Sequence, residues 1–273
     1  VFSLYKTKST SDFMYRVTKV VPFPIARIGS DFVAYENYLF EVKHYTHYYE
    51  TQQELDFETE AGQSQLEEFR KRALDKVIND AYIKEIAEQR GITVSDQEVE
   101  DAITVVRNQN RLGSSDEEFE AVLKDFWNWS TNDFKRSLRL QLLTQKVVSS
   151  LDTETHARAN AALAQLKNGK DFAELAKEVS EDAATKANGG EYLELIDRSN
   201  RDIAPRTIEA LFKLEPGEHS EVVDMGYGLE IVKNLETKDN QIRAAHILFN
   251  FKDINEYLNE IKDQKKTRAY VTF

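Results

Sequence analysis

Asn168-Gly169-Lys170-Asp171-Phe172-Ala173-Glu174-Leu175-Ala176-Lys177-Glu178-Val179-Ser180-Glu181-Asp182 is the stretch that decides the fold of the C-terminal half. Asn168-Gly169 separates two helical patterns, residues 154–167 and 171–179. Working outward, Asn188-Gly189-Gly190-Glu191 reads as a turn entering a strand over residues 191–195. A short helix is expected over residues 205–212, and Leu214-Glu215-Pro216-Gly217-Glu218 is a turn. Residues 220–223 read as a strand, and Gly226-Tyr227-Gly228-Leu229-Glu230-Ile231-Val232-Lys233 opens another that runs to Leu235. The pattern predicts an α+β domain with a small antiparallel sheet.

The order and spacing of these blocks resemble the parvulin family of peptidyl-prolyl isomerases. The resemblance implies a substrate class, the Xaa-Pro peptide bond. A parvulin opens with a strand of the form Ala-Xaa-His-Ile-Leu before its first helix. Here Val147-Val148-Ser149-Ser150-Leu151-Asp152 stands in that place, and His156 falls inside the helix pattern. Arg243-Ala244-Ala245-His246-Ile247-Leu248-Phe249 matches the missing strand but follows the last one. Either a second parvulin domain begins at Ile242, or the first strand has been permuted to the C-terminal side of the same domain. The second reading is preferred, because residues 236–241, rich in Lys, Asp and Asn, suit a hairpin connection between the two strands. The tail, with a helix over 253–265 and a strand over 268–273, is then an added element.

What the resemblance implies for the site is mixed. His246 fits the first-strand histidine and Asp182 the Cys/Asp position, while Glu230 replaces the second histidine. These three form the candidate catalytic set. Tyr192 stands where the family has Leu, Ile203 where it has Met, Thr207 where it has Phe, and Tyr227 at the position before the Gly. With Phe212 they form the candidate substrate-binding set. Amide rotation faces a barrier of ~18–20 kcal/mol, so an isomerase must stabilise a twisted amide with an apolar pocket and suitable polar groups. A glutamate near Asp182 brings like-charge repulsion unless His246 is protonated between them. Read singly, each residue also has a plain structural explanation: a turn cap, a sheet histidine, a solvated strand residue.

In the N-terminal half, residues 1–31 read as an extended arm with a Pro22-Phe23-Pro24 break. Tyr35, Tyr38, Leu39, Val42, Tyr45 and Tyr49 mark one helical face, best explained by core packing. A long amphipathic helix over residues 63–90 ends at Gly91. Ser95 with Glu98 and Ser115 with Glu118 form capping boxes, and Ser130 with Asp133 resembles one. Residues 32–149 therefore read as an all-α unit of about five helices. The runs from Leu74 to Val99 and from Phe134 to Lys146 resemble the N-terminal chaperone domain of the SurA and PrsA foldases, in which a helical domain precedes parvulin domains. The expected division is an arm at 1–31, a helical domain at 32–149 and a divergent parvulin-like domain at 150–273.

The expected function is a foldase or chaperone. It binds unfolded or nascent, proline-containing polypeptides in a groove between the domains, with weak or absent isomerase activity. The alternatives are an active parvulin-type isomerase and a non-catalytic scaffold. Family resemblance also implies an extracytoplasmic location. A start at Val1 leaves room for a signal peptide or membrane anchor upstream. Composition narrows the rest. Net charge is -12, which argues against a nucleic-acid partner held by phosphate contacts. The absence of cysteine excludes disulfides, thiolate metal sites and cysteine nucleophiles. No run of about 18 apolar residues predicts a membrane span. His44, His47, His156 and His219 lack metal-ligand spacing, and no Gly-rich loop ends in Lys-Ser/Thr, so neither metal nor nucleotide nor other cofactor is expected.

Overall fold

Local capping signals set where the N-terminal helices begin. In the computed structural model, which describes residues 2–6, 8–110, 112 and 115–273, the Ser95 backbone N–H donates to Glu98 (2.9 Å) and the Glu98 N–H to Ser95 Oγ (3.2 Å). Residues 1 and 7 of the expected arm and 111, 113 and 114 of the helical region lie outside the described residues. Ser115 with Glu118 makes the same reciprocal pair, as does Ser130 with Asp133. Each device satisfies two orphan backbone donors of a helix start. Gly91 ends the long helix in the left-handed region, φ 65°, where a side chain is disfavoured.

The chain divides into two units, residues 1–143 with 255–273, and residues 144–254. The first begins with α1 (Phe2–Tyr5), α2 (Asp12–Val20), β1 (Pro24–Ile28) and β2 (Asp31–Ala34). Then come α3 (Tyr35–Gln52), α4 (Glu60–Arg90), α5 (Asp96–Asn110), α6 (Asp116–Trp127) and α7 (Thr131–Leu151), of which residues 144–151 belong to the second unit. The aromatic stripe of α3 packs as core: Tyr35, Tyr38, Leu39 and Val42 are fully buried, and Tyr49 lies 4.5 Å from the Phe69 ring. A second cluster joins Val99 and Ile103 of α5 to Phe119 and Leu123 of α6 and Leu138 of α7.

The second unit contains α8 (Thr153–Lys167), α9 (Phe172–Val179), α10 (Pro205–Leu211), β3 (Val223–Asp224), β4 (Gly228–Lys238) and β5 (Gln241–Asn250). The expected link at 150–153 shrinks to Asp152, whose carboxylate caps α8 by accepting from the Thr155 N–H at 3.0 Å. The sheet order is β3-β4-β5, antiparallel throughout. β4 and β5 form a hairpin whose two turn residues, Asp239 (φ 49°) and Asn240 (φ 63°), are both left-handed. That is the signature of a two-residue turn matched to strand twist. Residues 191–196 do not form the expected strand; their backbone pairs with β5 at two isolated bridges, Glu191 to Ala245 and Ile196 to Ile242. Strand alternation sorts the sheet's two faces. Leu229, Ile231, Ala245, Ile247 and Phe249 meet α8 and α9. Val232, Ile242 and Ala244 meet Ile196 and α10 residues Ile208 and Leu211.

The last elements, α11 (Ile254–Gln264) and β6 (Thr267–Ala269), correct the expected division. Residues 255–273 belong to the first unit, not to the parvulin-like one. β6 pairs antiparallel with β1, giving a sheet of order β2-β1-β6. Tyr82 and Thr267 share a hydroxyl hydrogen bond of 2.7 Å, and the Tyr270 N–H donates to the Ile25 carbonyl at 2.8 Å. The arm is likewise corrected: it folds into two short helices and β1, which is held as the central strand of that sheet between β2 and β6. The molecule is α+β, mostly helical first and then built on small antiparallel sheets.

Candidate functional site

Pleating puts Glu230 of β4 and His246 of β5 on the sheet face covered by α10, since Glu230 pairs with Leu248 and His246 with Val232 across the ladder. His246 is fixed through its main chain as well, donating its N–H to the Gly190 carbonyl at 2.9 Å. Gly190 adopts φ 83°, and a Cβ there would fall 2.1 Å from the His246 carbonyl oxygen. Only glycine permits that approach. The Gly189-Gly190 turn then delivers Tyr192, whose N–H donates to the Ala244 carbonyl and whose ring lies 4.3 Å from the His246 ring. After α9 the chain turns at Ser180, which accepts the Leu248 N–H, and this aims Asp182 at the imidazole.

The result is a histidine held between two carboxylates. His246 Nδ1 lies 2.5 Å from Glu230 Oε1, and Nε2 lies 2.8 Å from Asp182 Oδ2. A neutral imidazole would turn a lone pair toward one of these acceptors, so the geometry suits an imidazolium donating both ways. Burial by itself opposes that charge. The hydrogen bonds and fields of Glu230 and Asp182 outweigh it, and the His246 pKa is raised above its ordinary value. For Asp182, burial pushes upward, but donation from Thr185 and His246 prevails and its pKa is lowered. Glu230 is 2 % exposed and accepts from Tyr192 Oη at 2.8 Å and Thr207 Oγ1 at 2.5 Å. Burial first, then the Glu230 charge, pushes the Tyr192 phenol strongly up, so it remains a donor.

Against this geometry, comparison with known proteins is decisive. Residues 3–148, more than half of the chain, match the model of the SurA-like N-terminal domain, and residues 142–236 match that of the PPIC-type PPIase domain. The chain belongs to the SurA/PrsA foldase family. Among its relatives is a Chaperone SurA of Albidiferax ferrireducens, 40% identical over 39% of this chain and 26% of that protein. Another is a Foldase protein PrsA of Caldanaerobacter subterraneus, 28% identical over 63% of this chain and 59% of that protein. The chain thus spans about a quarter of the first relative and under two thirds of the second. A solved SurA-like chaperone of Campylobacter jejuni is 15% identical over 90% of this chain and 98% of its own, at a TM-score of 0.35, which carries no argument about fold.

In this foldase-family chain the sequence-derived residues divide into two groups. His246, Asp182, Glu230, Tyr192 and Thr207 meet in one hydrogen-bonded network. Thr207 is wholly enclosed and spends its hydroxyl on Glu230, so it supports the carboxylate rather than presenting a face to a peptide. Ile203 and Phe212 pack with Tyr192 against the apolar cluster beside the network. Tyr227 is 57% exposed. Thr185 was not foreseen. Its hydroxyl donates to Asp182 Oδ2 at 2.5 Å, and its oxygen lies 2.8 Å from His246 Nε2. The signal for it was the spacing Asp182-Xaa-Xaa-Thr185, the reach of a side-chain-stabilised turn. Among the described residues, no group of three or more His, Cys, Asp or Glu is arranged to hold a metal ion.

Proposed function

We propose that the chain is a chaperone-type foldase that binds unfolded, proline-containing polypeptides outside the cytoplasm, with weak or absent prolyl isomerase activity. One observation carries the activity part of this reading. Both His246 ring protons and the hydroxyl protons of Tyr192, Thr185 and Thr207 face Glu230, Asp182 or each other. Accelerating amide rotation requires donors aimed at the charge that develops on the twisted amide. Here those donors are committed to two carboxylates, and Glu230 is the residue that commits most of them. The apolar surface around Tyr192, Ile203 and Phe212 is left to receive a proline ring or another apolar side chain. The chaperone part rests on family membership. Among the described residues no helix is long and apolar enough to cross a membrane.

The retained pair of His246 and Asp182, the latter 23% exposed at its side chain, favours a second reading as an active isomerase. Exchange NMR on a short Xaa-Pro peptide separates the two. We expect wild type to leave cis/trans exchange near its uncatalysed rate, Glu230→His to raise it, and wild type to suppress aggregation of an unfolded client. Exchange that is fast in wild type and lost in His246→Ala makes the chain an enzyme instead. No client binding at all leaves only a scaffold.

A further inference from the structure

The helical unit contains a cavity of about 260 Å³ walled by α3, α4 and α7. Its charge runs against that of the chain, which is -12 overall. Four cations line it, Lys76, Lys84, Arg136 and Arg139, against two carboxylates, Glu41 and Asp80. Three of the cations are engaged. Lys76 bridges Glu41 (3.0 Å) and Asp80 (2.7 Å), Arg136 holds Glu36 at 2.8 Å, and Arg139 holds Asp96 at 2.7 Å. Lys84 has no hydrogen bond or ion pair among the described residues. It is exposed by surface area, yet crowding by neighbouring protein atoms, only partly offset by Asp80, lowers its pKa. An ammonium so placed gains from an anion.

One oxygen of a second group in the wall is also unmet, although Lys76 holds the other. Glu41 is buried, and its Oε2 accepts no hydrogen bond. His44 does not serve it: Nδ1 is 3.8 Å away, lies 3.3 Å from the Phe40 carbonyl, and burial lowers the His44 pKa to about 4. Leaving a buried acceptor unmet is costly, so a ligand N–H is favoured there. Lys84 stands eight residues beyond Lys76, the partner of Glu41, along α4. At helical rise that is about 12 Å, too far for one small anion to serve both ends. An extended chain covers it in roughly three to four residues. The volume is below the ~300–1,000 Å³ of small-molecule sites and suits one or two side chains, and Phe40, Val77 and Leu143 supply apolar wall for a side-chain stem.

We propose that this cavity is a subsite for an acidic side chain of a bound polypeptide, its carboxylate on Lys84 and a nearby backbone N–H of the same chain on Glu41. The proposal rests on the reading that the protein binds unfolded polypeptides. The probes are two fluorescent 12-residue peptides of Leu, Ala and Ser that differ only in a central Glu or Gln. By anisotropy at low salt, the Glu peptide is expected to bind wild type about fivefold tighter than the Gln peptide. Lys84→Met is expected to erase the difference by weakening the Glu peptide alone, and Lys84→Arg to keep it. Equal binding of the two peptides to wild type overturns the subsite and leaves client binding standing; binding of neither overturns both. Equal weakening of both peptides by Lys84→Met also overturns it. So does full displacement of the Glu peptide by millimolar inorganic phosphate, which would mark a free-anion site. The wild-type comparison needs no variant to fold.

Discussion

Replacing Glu230 by Gln tests whether His246 is an imidazolium. The substitution keeps shape and leaves Oε1 to accept from Tyr192 and His246, but removes the charge. It also puts an NH2 where Thr207 now donates, so that hydroxyl must turn. Hydrogen bonds to charged groups are worth about 1.5–3 kcal/mol and neutral ones about 0.5–1.5, so each weakened bond loses about 1 kcal/mol. Glu230 is 2 % exposed, so solvent screening removes little of this. Near pH 6 the total over the three bonds is about 3 kcal/mol. The sign of its pH dependence follows from the raised His246 pKa. Stability from the charged imidazole is complete below the unfolded value of about 6.5 and is lost as pH rises through the folded value. The difference between wild type and variant should therefore shrink to about 2 kcal/mol at high pH, where only the Tyr192 and Thr207 bonds are still affected. Both tryptophans, Trp127 and Trp129, lie in the first unit, so their fluorescence is blind to this site. Native-state hydrogen exchange of the paired Val232 and His246 amides reads it directly. A penalty that is constant or grows with pH refutes the imidazolium.

Gly190→Ala forces a side chain into a left-handed residue facing a backbone oxygen. It should lower the stability of the second unit by at least about 2 kcal/mol, seen as faster exchange of the β4–β5 amides. Thr185→Val deletes the hydroxyl shared by Asp182 and His246. A loss of about 1–2 kcal/mol is expected, with the Asp182 carboxyl pKa moving up toward its ordinary value by carboxylate carbon NMR. Because Asp182 is depressed in wild type, its stabilisation is present above the unfolded pKa and vanishes as pH falls through the folded one, and this acid limb should flatten in the variant. Removing residues 267–273 takes β6 from the first unit, so the tryptophan-monitored melting point should drop by ~4 °C or more while β4–β5 exchange stays unchanged.

What the sequence disclosed was local. The caps at Ser95, Ser115 and Ser130 need only a partner three residues away, and all three formed. The hairpin joining β4 to β5 could be read because turn and strands are contiguous, and it carries His246 to Asp182 and Glu230. The match to the PPIase domain model stops at residue 236, before that strand begins. Pairing across long separations left no such trace. Thr267–Ala269 is three exposed residues with no strong alternation, and its partner is at the other end of the chain. Thr207 was misread because its position was compared with a ring-bearing one, whereas its hydroxyl answers the charge of Glu230, a residue 23 positions away.

The return of β6 to β1 makes the second unit an insertion within the first, and this has a consequence for synthesis. β1 has β2 on one side from the start, but its other edge must wait about 240 residues for its partner. At ~5–20 residues per second that interval is roughly ten to fifty seconds. For that time a nascent foldase displays an unpaired strand edge of the kind that templates aggregation. This chain is thus, during its own birth, briefly in need of the protection it is proposed to give others.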